Sequence, residues 1–159
     1  MAISIPALHV STRSKAKGGA KVFISARKDA LVSGIFTLKI SIEFDPTTMD
    51  YPTISVLSLK TDLSDGINAT FDATSVELIN AFGKHTPTIY LTGRCKSNNA
   101  ELKGLRYWLM IANNKNPNDQ NTTPDIISFA ITDRNGNRIN YGTGPVMEGG
   151  DIVVDPSLL

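Results

Sequence analysis

Residues 35–44 read Ile35-Phe36-Thr37-Leu38-Lys39-Ile40-Ser41-Ile42-Glu43-Phe44. Phe36, Leu38, Ile40, Ile42 and Phe44 alternate with Thr37, Lys39, Ser41 and Glu43, a period of two that a strand places on one side and a helix would scatter. Asp45-Pro46-Thr47-Thr48 ends the run, because proline has no N–H for a ladder and aspartate before it favours a turn. Downstream, in Thr53 to Thr61, Ile54 and Val56 point one way and Leu57 and Leu59 the other, a slip of parity that predicts a bulge or burial on both faces. Residues 67–72 and 74–79 are short strand candidates, with one or two helical turns over 74–82 as the alternative.

Thr86 to Cys95 alternates again, with Ile89, Leu91, Gly93 and Cys95 inward and Tyr90, Thr92 and Arg94 outward. Leu105 to Ala112 carries apolar groups on both sides. It predicts a central strand covered by the core on one side and by a loop or another chain on the other. Ile126 to Thr132 leads into Asp133-Arg134-Asn135-Gly136-Asn137, where Asn-Gly predicts a type I′ hairpin returning through Ile139 to Tyr141. After Gly142, Gly144, Pro145, Gly149 and Gly150 a last short strand covers Asp151 to Val154. The pattern predicts an all-β domain, an antiparallel β-sandwich of jelly-roll or immunoglobulin-like type with nine to ten short strands. Residues 1–16 read as an N-terminal extension and 17–159 as the single sandwich domain.

The chain has 159 residues, 41% of them hydrophobic and 19% charged, enough for one core that buries roughly 68–70% of its unfolded surface without metal or disulfides. No apolar run approaches the roughly 20 residues of a spanning helix. Sixteen Lys and Arg against fifteen Asp and Glu leave a net charge of +1, which argues against a dedicated nucleic-acid binder. The charges are nevertheless segregated along the chain. Seven of the cations, Arg13, Lys15, Lys17, Lys21, Arg27, Lys28 and Lys39, precede residue 40 with Asp29 as the only acid, so that stretch is about +6 and the remainder about −5. This reads either as a basic arm for phosphate or an acidic neighbour, or as the solvated face of a strand pair.

Signals for chemistry are few. His9 and His85 have no partner by spacing, no zinc-ligand pattern occurs, and no Gly-x-Ser-x-Gly elbow is present, so neither a catalytic residue nor a metal ligand nor a cofactor is expected. Cys95, on an apolar face, reads as a small buried thiol. A calcium site would draw oxygen ligands from the Asn-rich loop, with Asn116, Asn118, Asp119 and Asp125, or from 133–137, which lacks a closing bidentate acid. Tyr107 and Trp108 lie on opposite faces of one strand and are expected to pack in the core or at an interface, one of them exposed. Ile3, Ile5 and Leu8 give the N-terminal segment apolar side chains to bury, either within the domain or on the open sheet edge of a neighbouring copy. The N-terminus lacks the features of a secretory signal, so the chain is cytoplasmic in origin or its signal has been removed.

Three stretches, Lys17-Gly18-Gly19-Ala20-Lys21-Val22-Phe23, Thr123-Pro124-Asp125-Ile126-Ile127-Ser128-Phe129-Ala130-Ile131-Thr132-Asp133 and Glu148-Gly149-Gly150-Asp151-Ile152-Val153-Val154, fall in one order. With Ile89-Tyr90-Leu91-Thr92-Gly93 between them, this order resembles a β-sandwich module of bacterial secreted and surface proteins over about residues 17–155. The resemblance implies extracellular or surface display and brings no established activity. The expected function is a non-enzymatic structural subunit of an extracellular or virion surface assembly, partnered by copies of itself or by other shell or fibre subunits through edge pairing and apolar burial. The alternative is a carbohydrate- or calcium-dependent binding module with a glycan as partner.

Overall fold

A computed structural model describes residues 12–24, 33–83, 86–114, 124–147 and 150–158. Among them are ten strands and no helix: β1 (Thr12–Ile24), β2 (Gly34–Phe44), β3 (Thr53–Leu63), β4 (Thr70–Ala73), β5 (Leu78–Phe82), β6 (Thr88–Ser97), β7 (Leu105–Ala112), β8 (Ile126–Thr132), β9 (Arg138–Pro145) and β10 (Asp151–Leu158). They form a single antiparallel sheet in the order β10-β1-β2-β3-β4-β6-β7-β8-β9, with β5 paired to β6. The all-β expectation holds. Two separate stacked sheets are not what is seen, because one hydrogen-bonded sheet continues through the short β4 and curls back on itself.

The curl has identifiable causes. β10 pairs with β1 from Thr12 to Gly19, and beyond that point Val22 bridges Val146 at the end of β9, while the Met147 N–H donates to the Lys21 carbonyl at 2.8 Å. Gly144 faces inward on β9, where a Cβ would lie 2.9 Å from Val22 Cγ1, so only glycine lets β9 approach β1 so closely. Across the interior the rings of Phe36 on β2 and Phe129 on β8 meet edge to face, 4.7 Å between centroids. The alternating residues 36–44 are all buried, and with Leu57, Leu59, Ile89, Leu91, Ile111 and Ile127 they make one core.

The predicted parity slip is a bulge. Ser41 pairs with Val56 and Ile42 with Ile54, which leaves Ser55 extra and turns Leu57, Leu59 and Leu63 inward. The helical alternative for 74–82 is overturned, because its second half is β5, paired with β6 from Leu78 to Phe82. The type I′ expectation also needs correction. Only Gly136 has a positive φ (82°), and the Gly136 N–H donates to the Asp133 carbonyl at 3.0 Å, the arrangement of a type I turn followed by a glycine bulge. Asp133 Oδ1 accepts from the N–H groups of Asn135 (2.9 Å) and Asn137 (3.0 Å), and this local capping keeps Asn135 at negative φ.

Residues 12–16 of the expected extension are the first part of β1, held between β10 and β2. Ile3, Ile5 and Leu8 lie outside the described residues, as do His9 and His85. No described helix is long and apolar enough to cross a membrane.

A candidate binding face

β5 to β9 turn their inner side to the core and leave an outer side whose rows follow from the register. One row runs Leu78, Thr92, Trp108, Ala130, Tyr141, and the next runs Asn80, Tyr90, Met110, Ser128, Thr143. Phe82, at the end of β5, completes an aromatic chain across three strands. Its ring stacks on Tyr90 with centroids 5.7 Å apart and planes 17° apart, and Tyr90 leans on Trp108 at 6.2 Å. Phe82 is 44% exposed and Trp108 and Tyr141 are each 37% exposed, so the rings remain open to solvent. Trp108 and Tyr141 are two strand spacings apart, roughly 9.5 Å, and between them lies the short side chain of Ala130.

Guanidinium groups border this row. Arg94 and Arg106 are cross-strand partners, and both reach Glu77, Arg94 Nε at 3.3 Å from Oε1 and Arg106 Nη2 against Oε2. Arg138 lies over the Tyr141 ring, its Cζ 4.4 Å from the centroid. Ser128 and Thr143 share a hydroxyl hydrogen bond of 2.6 Å one row away. The face therefore combines aromatic rings, methionine and arginine, the side chains enriched in contact surfaces, with hydroxyls that can orient a polar ligand.

Tyr107, paired in expectation with Trp108 as a contact or core aromatic, goes the other way. It is buried and lies across Gly93, its cross-strand partner, with its hydroxyl donating to the Ser75 carbonyl at 2.8 Å. A Cβ on residue 93 would strike that same carbonyl and lie 2.9 Å from Tyr107 Oη, which is why the Thr-Gly pair needs its glycine. Burial raises the Tyr107 phenol above its ordinary range. Burial also pushes the Cys95 thiol up to about 12, with Asp72 adding to it, so Cys95 sits in the core as a protonated thiol. An apolar cavity of about 20 Å³ beside Cys95, Tyr107 and Trp108 has room for no more than a water-sized guest.

Asn116, Asn118 and Asp119 lie outside the described residues. Asp125 is buried, and its carbonyl accepts from the Val146 N–H at 2.8 Å, which places it at the root of the Asn-rich segment. Among the described residues no group of three or more His, Cys, Asp or Glu is placed to hold a metal ion.

Sequence reading missed Asn140. It is buried in the end of the curled sheet, and its Nδ2 donates to Thr61 Oγ1 at 3.1 Å and to the Ile67 carbonyl at 2.9 Å, tying the β3–β4 connection to β9. The alternation of β9 in Ile139, Asn140 and Tyr141 was the available signal, since it puts an amide on the inner side. Phe82 and Tyr141 were missed as members of the face, because their nearness to Trp108 depends on the strand order. Compared with protein-family models, with curated proteins and with solved structures, the chain matches none.

Proposed function

We propose that this protein is a non-enzymatic carbohydrate-binding module displayed on an extracellular or virion surface, acting through the outer side of β5–β9, with the curled sheet serving as the sandwich-like scaffold. The observation that carries this reading is the aromatic chain of exposed Phe82, half-buried Tyr90 and exposed Trp108, continued across Ala130 by exposed Tyr141. Aromatic faces stack on the C–H faces of pyranose rings, and Thr92, Ser128 and Thr143 stand beside them as hydrogen-bonding groups. The resemblance to a secreted surface module supports display outside the cell.

The test is adsorption of the full-length protein to a panel of cell-surface and insoluble polysaccharides, with Trp108→Ala as the comparison. Trp108 is on the surface, so the variant is expected to keep its fold within about 1 kcal/mol while losing adsorption at least tenfold. Adsorption equal for both proteins, or none to any polysaccharide, overturns the reading.

A second reading has its own observation. β10 has β1 as its one hydrogen-bonded neighbour among the described strands, and Val153 on it is 54% exposed, so its outer edge suits strand addition by another copy. In that reading the protein is a structural subunit of a fibre or shell. Light scattering with electron microscopy at near-neutral pH decides it: filaments or closed shells support the subunit role, and a monodisperse monomer removes it.

A further inference from the structure

Resting on the carbohydrate reading, we infer that the saccharide taken by the β5–β9 face is acidic, a uronate-bearing chain whose carboxylates meet Arg106 and Arg138. The outward positions of these five strands carry Arg94, Lys96, Arg106 and Arg138 and no Asp or Glu, although the whole chain is nearly neutral. Glu77, immediately before β5, is the carboxylate in ion-pair reach of these arginines among the described residues, shared between Arg94 and Arg106, while Lys96 stands across from Asp72 on β4. One carboxylate for two guanidiniums leaves donors over, and Arg138 spends its face on Tyr141 while its N–H edge has no carboxylate partner among the described residues.

The geometry joins these cations to the stacking surface. Arg106 is two residues from Trp108 on β7, and Arg138 lies over Tyr141 on β9, so each ring has a guanidinium beside it at the same end of the row. A pyranose stacked against Trp108 or Tyr141 then presents a ring substituent to an arginine fork. A planar carboxylate fits that fork with two parallel hydrogen bonds. Single-stranded nucleic acid shares the combination of aromatics and arginine, but a domain that tracks a phosphate at every nucleotide is expected to carry a clearly basic net charge. This chain has a net charge of +1, and the hydroxyls of Thr92, Ser128 and Thr143 stand in the same two rows as the rings.

The test is titration of the full-length protein with a soluble polyuronate, with the same polymer after reduction of its carboxyls to alcohols, and with a single-stranded oligonucleotide. Arg106→Gln and Arg138→Gln are measured beside it, with Lys17→Gln on β1 and Lys39→Gln on β2, strands that carry no part of the aromatic chain, as controls. Each arginine variant is expected to weaken polyuronate binding roughly tenfold, with native melting temperature, and the lysine variants to leave it unchanged. Binding is expected to fall as salt rises, since the pairs are exposed. Equal binding of the reduced polymer, with its loss in Trp108→Ala, overturns the acidic ligand and leaves the carbohydrate reading standing. No binding of either polymer, or tighter binding of the oligonucleotide, overturns the inference, and the polysaccharide panel then decides separately whether the carbohydrate reading falls too.

Discussion

The outer side of β1–β2 and the outer side of β5–β9 are both cationic to the eye, yet they are built on opposite plans. On β1 and β2 the lysines alternate with acids and small residues: Lys15 stands between Glu43 and Asp155, and Gly19 stands between Lys39 and Asp151. A groove of about 400 Å³ runs beside Lys21, Thr37, Lys39 and Met147, but its floor is Gly19 and Ala20 and it has no ring to stack a ligand on. On β5–β9 the cations are three arginines and Lys96, no acid is interleaved on the strands, and the spaces between are filled by Tyr90, Trp108 and Tyr141. The basic bias of the first 39 residues therefore sits on the mixed face. The unmixed face is assembled from the part of the chain whose net charge is negative, because the register brings residues 77 to 141 side by side.

The largest break in this comparison comes from the one core that supports both faces. Phe36→Ala is expected to cost about 3–5 kcal/mol, since Phe36 is fully buried and its ring is the contact from β2 to Phe129 on β8. Chemical denaturation checks this, and the same experiment should show one transition for both halves of the sheet. Tyr107→Phe separates the faces, because it removes only the hydrogen bond to Ser75 beneath β6 and β7. About 1–2 kcal/mol is expected from the Ser75 carbonyl losing its donor, with polysaccharide adsorption reduced far less than in Trp108→Ala.

The smallest expected effect lies in two turns, one at each end of the comparison. N–H groups of Asn137 first, then of Asn135 and Gly136, hold the Asp133 carboxyl below the usual carboxylate range beside β9. The Thr47 hydroxyl and N–H do the same for Asp45 after β2, helped by Arg13 at 3.1 Å. A carboxylate with a depressed folded pKa contributes stability above its unfolded value near 3.9, and loses it as pH falls through the folded value. Acid titration of stability should therefore flatten below about pH 4 in both Asp133→Ala and Asp45→Ala. Only the Asp45 change should also remove a salt-dependent part, through Arg13.

Several features were legible before any tertiary contact was known. Residues 36–44 declare a half-buried strand by their alternation, the slip at 54–57 declares a break in parity that only the register identifies as a bulge, and Asp133-to-Asn137 declares a hairpin, because each depends on side chains within a few residues of one another. The turn type at 133–137 was not legible, since the Asp133 side chain competes with the preference of Asn-Gly. Leu105 to Ala112, with apolar groups on both sides, predicts an outer face covered by a loop or another chain; that face instead carries Trp108, 37% exposed, with no described loop lying over it. Which of Tyr107 and Trp108 would be outside was not legible, because parity along a strand has no absolute sign until the strand is placed against a core.

By itself, then, the sequence determined local matters: an all-β chain, the positions of most strands from β2 onward but not of β1, the longest, most of its turns, and the burial of Cys95. The tertiary structure decided that the strands form one sheet curling on itself, that Asn140 ties β9 to the β3–β4 connection, and that Phe82, Tyr90, Trp108 and Tyr141 share a surface with three arginines. The physical reason is that alternation depends on neighbours two residues apart, whereas strand order and register bring together groups as far apart as Glu77 and Arg106, whose proximity no local pattern encodes.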